Sequence, residues 1–328
     1  MTLCHSLYGL RLAAESPVPS LPLCKDVLDA NVRIHWQGSS SQLPSIFALP
    51  CTQLYTSSTS SDNGQPLARV GILDNRYFGF FYGDGARFAV RLDGREIWAE
   101  GPEGYALEDL AAYLVGPVMG FVLRIFETLP LHACGVAVEG KAVALVGPQG
   151  AGKSTTAAAF AKLGFGILSE DVVALVEEGD RFMVQPGYPR VNLWPEAAKT
   201  IFGDAHGLPP VTPTWGKHFL PLDDAGHRFQ NEPLELGAIF TLQDRIPGAQ
   251  EPRVERISSA AAMTSVVANT YVNYLLDPAM RRTEFVQLGR LLQQTPVYQV
   301  WPSDDPSRVY ELCEAVAAVA RRSMASPA

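Results

Sequence analysis

Val143-Ala144-Leu145-Val146-Gly147-Pro148-Gln149-Gly150-Ala151-Gly152-Lys153-Ser154-Thr155 is the stretch on which the reading of this chain turns. Four apolar residues run into a glycine-rich turn, and Gly147-x-x-x-x-Gly152-Lys153-Ser154 has the spacing of a phosphate-binding loop. The apolar run has the length of a buried parallel strand. The residues that follow, through Lys162, are alanine-rich and helix-prone. Glycine at 147, 150 and 152 opens dihedrals closed to other residues and lets bare backbone approach a ligand. Successive N–H groups then face inward as a nest at the positive end of a helix. The nine residues Gly147, Pro148, Gln149, Gly150, Ala151, Gly152, Lys153, Ser154 and Thr155 are therefore expected to wrap the polyphosphate of a nucleotide. Pro148 and Gln149 shape the loop, Lys153 reaches the β- and γ-oxygens, and the Ser154 hydroxyl holds Mg²⁺.

Outward from this loop, composition sets the limits. The chain has 328 residues, enough for two domains, and is 47% hydrophobic. Its net charge of −8 argues against a nucleic-acid partner. Five scattered cysteines without a C-x-x-C predict neither a disulfide framework nor a zinc site, and fit a reducing cytoplasm. The start of the sequence has no signal-like apolar block. The most apolar stretch, residues 110–123, is interrupted by Gly116 and Pro117 and is too short to cross a membrane, so it reads as a kinked, buried helix.

Residues 1–126 read as a β-rich domain ending in that connecting helix. Alternating patterns at 8–12 and 32–36 predict strands, and 77–82 with 87–92 predict a hairpin across Gly83-Asp84-Gly85. His5 and His35 are lone histidines that read as structural.

Residues 127–328 read as an α/β domain. Leu129-Pro130-Leu131-His132-Ala133-Cys134-Gly135-Val136-Ala137-Val138 predicts a strand, turned at Glu139-Gly140 directly into the loop's own strand, so the two should be antiparallel neighbours. Residues 165–168 predict a strand with Glu170-Asp171 at its carboxyl end, where ligands of open α/β sheets sit. Further strands are expected at 172–177, 182–186, 217–222, 236–242 and 296–300. Helices are expected at 196–202, 260–276, 284–293 and 309–322, with a proline- and glycine-rich loop at 204–216. His206, His218 and His227 lack metal-ligand spacing. Arg190 and Lys217 are candidate cations for transition-state charge.

His132 precedes Lys153 by 21 residues and Asp171 follows it by 18. In that order, with the loop between them, these residues resemble the catalytic domain of the HPr kinase/phosphorylase family, and more closely its divergent HPr-kinase-related members. Those share the Leu131-His132-Ala133 lead-in and a Leu193-Trp194-Pro195 segment. The resemblance is good over about residues 129–245. It implies an α/β fold of the P-loop HPr-kinase type, behind the β-rich amino-terminal domain, and closed oligomers. It implies an ATP- and Mg²⁺-dependent kinase acting on a serine or threonine hydroxyl of a peptide or small protein. Asp171 matches the acid that takes the acceptor's proton, His132 the family's active-site histidine, Lys153 the phosphate contact, and Ser154 the Mg²⁺ contact. Glu170 stands where the family has the first acid of an Asp-Asp pair, and could help hold Mg²⁺. The family's Ser-Glu after the loop lysine is Ser154-Thr155 here, and its glycine-rich segment after the acids is replaced by Pro186-Gly187-Tyr188-Pro189-Arg190-Val191. Two other readings stay open from the sequence: a nucleotide-binding regulatory or assembly module without transfer chemistry, and a small-molecule kinase.

Overall fold

The computed structural model describes residues 2–24, 29–37, 43–61, 64–203, 207–222 and 226–325. His206 lies outside the described residues, as does the start of the loop at 204–216. Tertiary contacts divide the chain into two units. One is Met1–Glu127 with Thr212–Thr214 and Val272–Asp277, and the other is Thr128–Val211, Trp215–Tyr271 and Pro278–Ala328.

In the first unit eight strands form one mixed sheet. They are β1 (Leu3–Leu7), β2 (Leu10–Ala14), β3 (Val32–Trp36), β4 (Cys51–Thr56), β5 (Ala68–Leu73), β6 (Tyr77–Tyr82), β7 (Arg87–Arg91) and β8 (Glu96–Glu100). Their order is β1-β2-β3-β8-β7-β6-β5-β4. β6 and β7 are the expected antiparallel hairpin. A short helix, α1 (Leu43–Phe47), precedes β4. The apolar stretch after β8 forms α2 (Leu107–Tyr113), a π-helical turn (Leu114–Val118) and α3 (Met119–Ile125). Pro117 sits inside the π turn, whose wider ladder accommodates the missing N–H, so the helix continues where the sequence suggests a kink. Two later segments belong to this unit for visible reasons. The Thr214 hydroxyl donates to buried Asp109 at 2.5 Å, and Tyr274 packs on Tyr55 with ring centroids 4.3 Å apart.

The second unit is a mixed α/β structure. It runs β9 (Leu129–Val138), β10 (Lys141–Val146), α4 (Lys153–Lys162), β11 (Ile167–Ser169), β12 (Val172–Glu178), β13 (Arg181–Gln185), β14 (Arg190–Leu193), α5 (Pro195–Phe202), β15 (His218–Pro221), β16 (Leu234–Leu242), β17 (Arg253–Arg256), α6 (Ser259–Ala268), α7 (Pro278–Gln294), β18 (Val297–Trp301) and α8 (Val309–Ala325). The main sheet is ordered β10-β9-β12-β13-β16-β18-β17, with β11 on β9. β9 and β10 are antiparallel across the Glu139-Gly140 turn, as the sequence predicts. β10 also pairs in parallel with β16, so the path through β9, β12, β13 and β16 closes on itself. β14 and β15 pair separately.

Period-2 alternation sends each central strand into two cores. Cys134, Val136 and Val138 of β9 and Val143 and Leu145 of β10 pack on one face with α4 and α8. Ala133 and Ala137, with Ala142, Ala144 and Val146, pack on the other with α6 and α7. That double burial is why β10 reads as an unbroken apolar run. α4 is buried nearly all round, between α5 and α8 and over β9, and its alanines permit the close approach. Phe160 is its one large anchor, fully buried and edge-on to Phe165 at 5.1 Å. The helix expected over 260–276 ends at Ala268, because Asn269-Thr270-Tyr271-Val272-Asn273 are poor helix formers.

Phe160→Ala should therefore cost about 3–5 kcal/mol of unfolding free energy, from the lost burial and the cavity left behind. Phe285→Ala, at an exposed position on α7, should stay within about 0.5 kcal/mol of wild type. Urea titration of both variants checks the difference.

Candidate active site

The carboxyl end of β10 opens into the glycine-rich turn. Gly150 and Gly152 take φ of +84° and +92°, so the turn needs glycine at both positions. Gly147 needs it for room, since a Cβ there would meet the Leu242 carbonyl oxygen at 3.1 Å and the Ala151 Cβ at 3.2 Å. Gly152 caps α4 with no side chain engaged, so no side chain of the cap takes up the first-turn N–H groups, and the first-turn residues Lys153, Ser154 and Thr155 line a cavity. That cavity, of about 700 Å³, is lined by Gln149, Gly150, Ala151, Gly152, Lys153, Ser154 and Thr155, and on its other walls by His132, Glu170, Asp171, Asn192, Trp194, Lys217 and Tyr271. Gly147 and Pro148 stand behind the wall. Their carbonyls accept from the Lys153 ammonium at 2.7 and 3.0 Å. Burial pulls the Lys153 ammonium below its ordinary pKa, with the nearby Cys134, Asp171 and Glu170 opposing.

Glu170 and Asp171 reach this cavity through a tight turn between β11 and β12. The Val172 N–H donates to the Glu170 carbonyl at 2.9 Å, and Asp171 between them has φ +70°, the geometry of a classic γ-turn. The turn is pinned on both sides: the Ala133 N–H donates to the Asp171 carbonyl at 3.2 Å, and the Ser169 hydroxyl to the Val172 carbonyl at 2.5 Å. In a straight strand consecutive side chains point to opposite faces. Here both acids line one cavity.

The two carboxylates have different neighbours. Glu170 is buried. It accepts from the Ser154 hydroxyl at 2.6 Å and from the Asn192 amide at 3.0 Å. Burial is the main force raising its pKa, Asp171 adds to it, and Lys217, Ser154 and Asn192 oppose. Asp171 is partly exposed. Its Oδ2 accepts from the Tyr271 hydroxyl at 2.7 Å, and its Oδ1 lies 3.4 Å from His132 Nε2. Burial lowers the His132 pKa, Lys153 and Lys217 lower it further, and Asp171 opposes. His132 is therefore neutral near pH 7, and its contact with Asp171 is a long polar contact rather than an ion pair.

Oxygen donors meet at Glu170. Asn192, whose Nδ2 donates to the Glu170 carboxylate, has its own Oδ1 buried with no hydrogen-bond partner among the described residues. One carboxylate, one hydroxyl and one amide oxygen are hard donors that fit a small hard cation whose remaining positions are filled by water. Among the described residues no cluster of three or more His, Cys, Asp or Glu could hold a metal by itself.

Of the two candidate cations, Lys217 lines the cavity, with its ammonium 4.9 Å from the Trp194 ring. Arg190 does not line it. Its guanidinium lies 5.1 Å from the Tyr188 ring and 5.1 Å from the Phe219 ring, a packing role. His218 and His227 do not line the cavity either. Tyr271 and Asn192 carry contacts to the acids that the sequence reading does not single out.

No protein-family model matches this chain, and no curated protein matches it. Among solved structures the chain is similar to the Hpr(Ser) kinase/phosphatase from Coxiella burnetii, at 12% identity and a TM-score of 0.30, over 59% of this chain and 88% of that one. A likeness of that order carries no argument about this chain's chemistry. No helix among the described residues is long and apolar enough to cross a membrane.

Glu170 gives a signed pH dependence. Its ordinary value is 4.5 and its folded-state value is higher. The folded chain thus holds a proton that the unfolded chain has lost, and stability falls as pH rises through that window. Glu170→Gln removes this cost. The variant should melt above wild type at pH 7.5 without divalent metal, and the gap should shrink as pH falls towards 4.5. Equal melting temperatures at pH 7.5 would refute a strained Glu170 carboxylate.

Proposed function

We propose that this chain is an ATP- and Mg²⁺-dependent kinase that phosphorylates a serine or threonine hydroxyl of a peptide or small protein. The observation that carries the reading is the pair of adjacent acids in one cavity, Glu170 tied to Ser154 of the glycine-rich loop and Asp171 facing away from it toward His132. The choice of acceptor follows the family resemblance of residues 129–245. A cytoplasmic setting and self-association are proposals on the same footing.

Phosphoryl transfer asks a protein mainly for positioning and for charge to meet the phosphate oxygens. The loop N–H groups would hold the β- and γ-phosphates, and Lys153 would leave the Gly147 and Pro148 carbonyls to reach them. Lys217, across the cavity, adds a second positive charge. Ser154, Glu170 and Asn192 would hold Mg²⁺, which when bound neutralises charge across the phosphate oxygens. Asp171 would accept the acceptor's hydroxyl proton as that oxygen bonds to the γ-phosphorus and the bond to the leaving ADP oxygen breaks. Neutral His132 beside Asp171 can donate one hydrogen bond to the γ-phosphate or the acceptor, without adding a charge.

Transfer from γ-labelled ATP to peptide and small-protein acceptors tests this, with Asp171→Asn alongside. Asparagine tolerates positive φ, so the turn survives the substitution. Transfer should fall about 10²–10⁴-fold while ATP affinity stays within about threefold of wild type. ATP binding without transfer to any acceptor, equal in both proteins, would replace the kinase with a nucleotide-sensing module.

A further inference from the structure

We infer that Tyr271 is a positioning residue for the transfer: it ties one oxygen of Asp171 so that the other, Oδ1, takes the acceptor's proton. The inference rests on the kinase reading. A carboxylate turns easily about its last bond, because that torsion is broad and roughly two-fold. A general base needs one lone pair held on the reacting hydroxyl. In this site the Tyr271 hydroxyl donates to Asp171 Oδ2 at 2.7 Å, a bond to a charged acceptor. Among the described residues, Oδ1 has only the 3.4 Å contact to His132 Nε2. The two oxygens are therefore unequal before any substrate arrives.

Tyr271 is itself held. Its N–H donates to the Pro130 carbonyl at 2.8 Å, and the His132 N–H donates to the Asn269 carbonyl at 2.8 Å. Leu131 and Thr270 form an antiparallel bridge between them. The Tyr271 ring stands edge-on to the His132 ring, with centroids 5.7 Å apart and planes at 84°. Residues 269–271 thus lie along the start of β9, the strand that also carries His132. Asp171, which accepts the bond, has φ +70°, and Val272, the residue that follows Tyr271, has φ +47°. A β-branched residue in that region is an outlier, and such backbone persists where surrounding contacts over-determine it. The Asp171 end of the hydrogen bond is thus fixed by its γ-turn, and the Tyr271 end by its backbone pairing with the start of β9.

The step balances without a further reagent. The acceptor O–H proton passes to Asp171 Oδ1, the acceptor oxygen bonds to the γ-phosphorus, and the bond to the β–γ bridging oxygen breaks to release ADP. Tyr271 keeps its proton throughout.

The test is a kinetic cycle of wild type, Tyr271→Phe, Asp171→Asn and the double variant, with ATP and one phosphorylated acceptor. Phenylalanine keeps the ring on His132, and KM for ATP reports whether the site is intact. Tyr271→Phe should lower kcat about 10- to 100-fold and leave KM for ATP within about twofold. Added to Asp171→Asn it should cost less than about threefold more, since two residues acting as one unit are not additive. A wild-type kcat in Tyr271→Phe, or a full multiplicative loss in the double variant, overturns the positioning role and leaves the kinase standing. A wild-type protein that binds ATP and transfers nothing overturns both.

Discussion

The two acids of the cavity owe their shared face to a three-residue turn. Glu170 and Asp171 are neighbours at the join of β11 and β12, and a regular strand would send one of them into the core. The γ-turn bends the backbone so that both enter one cavity. Positive φ at a non-glycine residue costs on the order of 1–3 kcal/mol, and such conformations gather at sites where function repays the strain. Aspartate is among the residues that tolerate it best. The turn's own hydrogen bonds, from Ala133 of β9 and from Ser169, hold it in place. β9, paired with β10, β11 and β12, is therefore the scaffold of the site: it carries His132, braces the turn, and pairs with the strand that ends in the glycine-rich loop.

The division between the two acids is a matter of environment. Glu170 is buried, with a hydroxyl and an amide as its partners, and its carboxylate is disfavoured until a cation shares it. Asp171 is nearer solvent and keeps an oxygen available. Two chemically similar side chains, adjacent in sequence, are thus suited to different work by burial and by hydrogen-bond partners. The cluster of burial-shifted groups, with Lys153 and His132 both pushed down and Glu170 pushed up, is the electrostatic pattern expected of a site that handles charge.

Much of this is legible in the sequence because it is local. The loop from Gly147 to Thr155, its flanking strand and helix, the antiparallel turn at Glu139-Gly140 and the position of the two acids all follow from short-range spacing. What the sequence hides is set by tertiary contact. Tyr271 falls within a span whose apolar residues suggest a helix to residue 276. The stop at Ala268 comes from Asn269 and Thr270 and from the pairing with β9, and only that pairing brings the phenol to Asp171. Asn192 lies in a strand whose partner, β15, is more than twenty residues further on. Arg190 reads as a candidate cation until its packing against the Tyr188 and Phe219 rings is seen. The closure of the main sheet through β10 and β16 is equally invisible, since it joins strands almost a hundred residues apart.

The turn at Asp171 can be separated from the carboxylate it carries. Asp171→Gly removes the acid and keeps a residue at ease with positive φ, whereas Asp171→Val removes the acid and opposes the turn. Calorimetric titration with ATP and Mg²⁺ would compare the two. The account predicts that the glycine variant binds within about threefold of wild type, because Glu170 stays beside Ser154, and that the valine variant binds at least about tenfold more weakly. Equal affinities in the two variants would contradict the claim that this turn places Glu170 in the site.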